Sequence, residues 1–155
     1  MKITGENPML DSIDMGDYRL MLYYKGDLSA LTLFLQQENG SICFPEKLPL
    51  LSSPIEPIDF QTPKVSLLPV VLVNAINKQL QLPNDLLKVD AEFNEQIETP
   101  KGITTVYMAR FMLLDPPHKL VQSRGCSLKT LPELRGRPPA EMELLRRAYV
   151  YVMES

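Results

Sequence analysis

The sequence predicts an α+β domain in which a mixed β-sheet is sandwiched between α-helices. Three observations carry this expectation. Apolar residues recur at helical spacing between Leu68 and Leu82, strand-like segments stand on both sides of that stretch, and a second helical period closes the chain from Ala140 to Met153. Strands, a central helix, more strands and a terminal helix do not form the regular alternation of a parallel α/β fold. One domain spanning residues 1–155 is expected, since that length can bury one substantial core.

In chain order, Asp17 to Lys25 alternates as a strand and stops at Gly26-Asp27. Ala30 to Gln37 is expected as a second strand. Asn39-Gly40 is a hairpin signal, with Ser41 to Phe44 as the returning strand and Pro45 ending it. Residues 45–63 hold five prolines and read as a stiffened crossover. In the central helix, Leu72, Ile76 and Leu80 lie four apart, with Asn74, Asn77, Lys78 and Gln81 on the other side. Ser66 is a candidate cap, Pro69 suits the first turn, and Pro83 disfavours helical angles at Leu82.

Leu87 to Phe93 and Thr104 to Leu114 read as strands, with turn chemistry at Glu98-Thr99-Pro100-Lys101-Gly102 between them. Asp115-Pro116-Pro117-His118 ends the long strand, leaving His118 in a loop. Ser127 to Leu134 reads as a short strand running into a single helical turn. In the last helix, Met142, Leu145, Tyr149 and Val152 are the expected buried stripe, and Glu143 can pair with Arg147.

The composition is that of an ordinary soluble globule, 45% apolar and 23% charged. No apolar run approaches the roughly 20 residues of a membrane helix, and Met1 to Asp17 lacks an apolar signal core, so a cytoplasmic protein without membrane contact is expected. Cys43 and Cys126 lack metal or disulfide spacing and are expected as buried thiols. Residues 1–100 hold 7 Lys/Arg against 14 Asp/Glu, and residues 101–155 hold 9 against 5. That asymmetry reads first as charge solvating two ends of one domain, with attraction of an anion or an acidic partner at the basic end as the alternative. No nucleic-acid-binding signature accompanies it.

The run Gln79-Leu80-Gln81-Leu82-Pro83, then Asp85-Leu86-Leu87, Glu98-Thr99-Pro100-Lys101-Gly102 and Thr105-Val106-Tyr107-Met108-Ala109-Arg110-Phe111, resembles the Nudix hydrolases over most of the chain. The resemblance implies a Nudix-like fold and, in catalytic members, cleavage of diphosphates with a divalent metal. The family signature is G-x5-E-x7-R-E-U-x-E-E-x-G-U, where U is aliphatic. With Ile76 and Leu82 on the aliphatic positions, Asn74 falls on the arginine, Ala75 on the first helical glutamate, and Lys78 and Gln79 on the glutamate pair. Gln81 falls on the second glycine, and Phe60 and Ser66 on the upstream glycine and glutamate. Magnesium and manganese need hard oxygen ligands. A methyl group and an ammonium supply none, and a glutamine carbonyl is a weak neutral one.

No catalytic residue, metal site or cofactor is therefore expected. The preferred reading is a non-catalytic Nudix-like domain that binds a protein partner or a nucleotide-like ligand, or associates with itself as a homodimer. Arg135, Arg137, Arg146 and Arg147 are the candidate ligand-binding residues, as a basic patch. The alternative is a divergent metal-dependent pyrophosphatase using Asp90, Glu92, Glu95 or Glu98, with Asp90 and Glu92 sharing one face of a strand. Single-histidine chemistry at His118 and nucleophilic hydrolase motifs find no support.

Overall fold

A computed structural model describes residues 18–56, 68–90 and 92–154. The candidate cap Ser66, the signature position Phe60 and the second half of the proline crossover lie outside them. The fold is α+β. Among the described residues, seven strands form one mixed sheet: β1 (Tyr18–Lys25), β2 (Thr32–Gln36), β3 (Ser53–Pro54), β4 (Leu87–Val89), β5 (Glu95–Thr99), β6 (Gly102–Phe111) and β7 (Ser127–Lys129). The helices among the described residues are α1 (Leu68–Gln79), α2 (His118–Gln122) and α3 (Pro139–Glu154), with a 3-10 turn at Pro132–Leu134. Strand order is β3-β5-β6-β1-β2-β7, with β4 also paired to β6. β1 and β6 are parallel, and the other pairings are antiparallel.

Strand alternation assigns the two faces. Leu20, Leu22 and Tyr24 of β1 and Tyr107, Ala109 and Phe111 of β6 pack with Leu72, Val73 and Ile76 of α1. Met21 and Tyr23, with Val106 and Met108, pack with Leu144, Leu145, Ala148 and Val152 of α3. Each fully buried aliphatic side chain contributes roughly 1.5–3 kcal/mol, so neither central strand tolerates exposure of either face.

Four sequence expectations are corrected. First, Ser41 to Phe44 is not a returning strand, since β2 pairs with β1 and β7 instead, and only Phe44 bridges Leu20. The Asn39-Gly40 turn does form, with the Gly40 amide donating to the Gln37 carbonyl at 2.9 Å and Gly40 at φ +94°. Second, the segment Leu87 to Phe93 stops being a strand at Val89, and Glu95–Thr99 is a strand in its own right. Val89 opposes Ala109 and Glu95 opposes Val106, so six steps along the edge oppose three along β6. The surplus is looped out around Phe93, which plugs into the core beside α3.

Third, His118 opens α2 instead of sitting in a loop. Fourth, the buried stripe of α3 is rotated. Glu141, Leu144, Leu145, Ala148 and Val152 face inward, while Tyr149 is exposed and Met142 only partly buried. Ala148 lets the helix lie close to the sheet, and Glu141 has partners waiting inside.

Helix α1 ends two to three residues earlier than its apolar period, in a Schellman motif. The Leu82 amide donates to the Asn77 carbonyl at 3.0 Å and the Gln81 amide to that of Lys78 at 3.1 Å. Gln81 sits at φ +54°, a left-handed conformation that costs an L-residue about 1–2 kcal/mol. Leu82 closes the motif by packing in the same cluster as Ile76. Replacing Gln81 by glycine should therefore raise stability by roughly 0.5–1 kcal/mol after the entropy of the freer unfolded chain is counted. Urea unfolding measures it, and a lower midpoint for Gln81→Gly would contradict the assignment.

Candidate functional site

The outward side of α1 and the loop that follows it enclose a cleft of about 630 Å³. Its floor is Val73, Leu82 and Leu87, and its walls carry Asn74, Asn77, Lys78, Gln81, Asn84 and Asp85. Asp85, like Gln81, has a positive φ, here 64°. The Asn77 amide donates from Nδ2 to the Leu82 carbonyl at 3.1 Å, holding the turn beneath the cleft. Arg124 secures the same end of the helix. Its Nε donates to the Leu80 carbonyl at 2.9 Å and its Nη2 to that of Gln81 at 3.0 Å, where the helix dipole favours a cation. The cleft thus offers neutral amides, one ammonium and one carboxylate. These groups suit hydrogen bonding to a polar ligand better than multidentate capture of a dication.

The acidic residues after α1 are dispersed. Asp90 stands just past the end of β4 and accepts a 2.5 Å hydrogen bond from the Tyr23 hydroxyl. Burial first, and then Asp90, push the Tyr23 phenol well above its ordinary range. Glu92 lies exposed in the looped-out turn, so it and Asp90 do not share a strand face as expected. Glu95 points to the α3 side of β5, where it binds Arg147 at 2.6 Å. Glu98, three positions on, points to the opposite face. Among the described residues no group of three or more His, Cys, Asp or Glu side chains converges as a metal would require.

The four candidate arginines separate. Arg147 is a largely buried tie. Its Nε donates to Glu143 at 2.7 Å and its Nη1 to Glu95 at 2.6 Å and to the Ile55 carbonyl at 3.0 Å, and Glu56 lies at 3.5 Å. Burial opposes its charge, but the bonds from Glu143 and Glu95 outweigh that and hold its pKa above the usual value. Arg146 is exposed and grips Glu143 through Nε at 3.0 Å and Nη2 at 2.6 Å. Arg137 donates from Nε to Glu141 at 2.9 Å. Arg135 is exposed, and no ion pair engages it among the described residues. The expected patch is thus one largely buried tie, two pairs with acids of α3 and one open guanidinium.

Sequence reasoning passed over Glu141, which is only 2% exposed. Its carboxylate accepts from the Ser41 hydroxyl at 2.6 Å, the Ile42 amide at 3.3 Å and Arg137. The Cys43 amide donates in turn to the Ser41 hydroxyl at 3.0 Å. The amides of residues 42 and 43 are thereby spent on side chains, which explains why this segment forms no ladder. A side chain at position 40 would begin 2.6 Å from Nη1 of Arg137 and make that guanidinium shift, while the φ of +94° is what favours glycine there. Both cysteines are buried and free. Burial raises the pKa of each thiol, with Glu141 adding to this at Cys43 and Glu38 at Cys126, which makes them poor nucleophiles. The signal for Glu141 was weak in sequence, because an acid in the first turn of a helix reads equally well as an exposed response to the dipole.

Two outcomes test these electrostatics. Glu141→Ala strands Arg137, the Ser41 hydroxyl and the Ile42 amide, and should cost about 3–5 kcal/mol in urea unfolding. Glu141→Gln, which keeps the shape, should cost less, and a loss within about 0.5 kcal/mol for the alanine variant would remove its anchoring role. Glu143 is held down to about 2, chiefly by the Arg146 hydrogen bond, with Arg147 adding to it. Its folded pKa lies below its unfolded value of about 4.3. Its contribution is therefore complete above that value and is lost as pH falls toward 2. The acid limb of stability between those values should be shallower in Glu143→Gln, as read by thermal melts across that window.

No protein-family model matches the chain, and no curated protein matches it.

Proposed function

We propose that this chain is a Nudix-like domain without diphosphate hydrolysis, acting by binding a protein partner or a nucleotide-like ligand. One observation carries the reading: on the helix that would bear the catalytic glutamates stand Ala75, Lys78 and Gln79. Two others support it. Gln81, on the signature's second glycine, has the left-handed backbone that makes a glycine useful there. The sheet is also covered on both sides, by α1 and by α3.

Binding fits the cleft, whose volume is within the range of about 300–1,000 Å³ typical of small-molecule sites. Its amides can meet the edges of a base or sugar, and Lys78 can meet a phosphate. Among the described residues no helix is long and apolar enough to cross a membrane, and a cytoplasmic home is part of the proposal. The competing reading, a pyrophosphatase with its metal on Asp90, Glu92, Glu95 and Glu98, is disfavoured because these carboxylates point to different places and two already hold protein partners.

A panel of nucleoside diphosphate derivatives with magnesium or manganese should give no turnover above buffer, and neither ion should shift the melting temperature. Cleavage of any panel member that disappears in Glu92→Gln would establish the pyrophosphatase instead.

A further inference from the structure

Helix α3 is apolar on two sides. The inner side is the core face. On its outer flank Met142, Tyr149 and Val150, together with Leu131 before the 3-10 turn, line an apolar groove of about 350 Å³. Tyr149, Val150 and Met153 remain exposed at 36%, 41% and 36%. The groove is rimmed by two guanidiniums, Arg135 and Arg146. Arg146 uses Nε and Nη2 on Glu143, which leaves Nη1 to point elsewhere, and no ion pair engages the Arg135 guanidinium among the described residues. The acids nearby are already engaged. Glu143 is shared between Arg146 and Arg147, and Glu133 accepts from the Thr130 amide and hydroxyl at 2.8 and 3.1 Å.

From this combination we infer that the groove is the docking site for a segment of a protein partner that carries apolar anchors beside a carboxylate. Leucine-, methionine- or phenylalanine-sized side chains seat against Tyr149 and Met142, and the acid reaches Arg135 and the free Nη1 of Arg146. Apart from the two guanidiniums the lining is apolar, which fits aliphatic or aromatic side-chain anchors, and an arginine at the edge of an apolar slot is the usual electrostatic complement to an acidic peptide. The inference rests on the binding reading for its choice of a protein partner, but its surface is separate from the α1 cleft.

The test is selection from a random displayed peptide library on the full-length chain. The enriched peptides should carry Leu, Met or Phe next to Asp or Glu. Their affinity should fall at least tenfold, about 1.4 kcal/mol, in Arg135→Glu and in Tyr149→Ser. Both positions are exposed, so both variants should unfold at unchanged urea midpoints. No enrichment, enrichment of basic peptides, or binding indifferent to both variants would overturn the assignment. So would a concentration-dependent dimer in sedimentation velocity that is lost in Tyr149→Ser, because a second copy would then be the occupant. The diphosphate panel is independent of this groove: turnover there would sink the non-catalytic reading and leave the peptide result standing, whereas failed selection without turnover would leave the α1 cleft as the binding surface.

Discussion

The parallel pairing of β1 with β6 is the constraint from which the rest of the architecture follows. A parallel pair cannot be closed by a tight turn, so the chain between must leave the sheet and return. Both strands are apolar on both faces, and each face needs its own cover. The crossover supplies α1 on one side, and the end of the chain supplies α3 on the other. β2 and β7 then extend the sheet beyond β1, and β4, β5 and β3 extend it beyond β6. The long central strand β6 is thus enclosed laterally as well as above and below.

The surplus residues between β4 and β5 illustrate how such a sheet disposes of polar groups. An uninterrupted edge strand would have carried Asp90 and Glu92 along one face. Looping out the segment lets Phe93 fill space near Tyr151, at 5.6 Å between ring centres, and swings Asp90 onto the Tyr23 hydroxyl. The hydrophobic gain from one buried aromatic ring is of the same order as the cost of a few lost ladder bonds, and the amides of Asp90 and Phe93 keep backbone acceptors in Met108 and Asp90. The same step that completes the α3-side core therefore scatters the carboxylates. Packing and the absence of convergent acids on this edge have a common origin.

Where the sequence was legible, one dominant period was present. β1, β6 and α1 carry apolar residues at unmistakable spacing, and Ser127 to Leu134 was recognisable from a strand-like triplet followed by Leu131-Pro132-Glu133-Leu134. Legibility failed where pairing, not propensity, decides. Glu95–Thr99 holds a single aliphatic residue and is a strand only because β6 offers it a partner. Ser41 to Phe44 has strand composition yet finds β2 occupied on both edges. The rotation of α3 was hidden because two apolar stripes compete on that helix. The deciding contact, Glu141 with Ser41, joins residues a hundred positions apart. Of the candidate site, the polar positions Asn74, Asn77 and Lys78 on the helix could be read directly, whereas the cleft beside them needed the turn at Gln81 to Asp85.

The basic excess of the last third of the chain shows why counting charges along a sequence does not locate a patch. Arg137, Arg146 and Arg147 lie within ten residues of one another, yet each is met by a carboxylate. Two of those acids, Glu141 and Glu143, come from the same helix, and the others come from strand and loop segments at the acidic end of the chain. Folding moves the negative half onto the positive half. The more shielded of these pairs, Arg137 with Glu141 and Arg147 with Glu95, contribute less to net stability than to the choice of one packing, because the cost of desolvating them offsets their attraction. What remains available to a partner is the small part of the excess that the fold does not use. Some of it lies at Arg135 and one edge of Arg146, where apolar side chains are also uncovered. Charge and hydrophobicity left over at the same place are a stronger indication of a binding surface than either is alone.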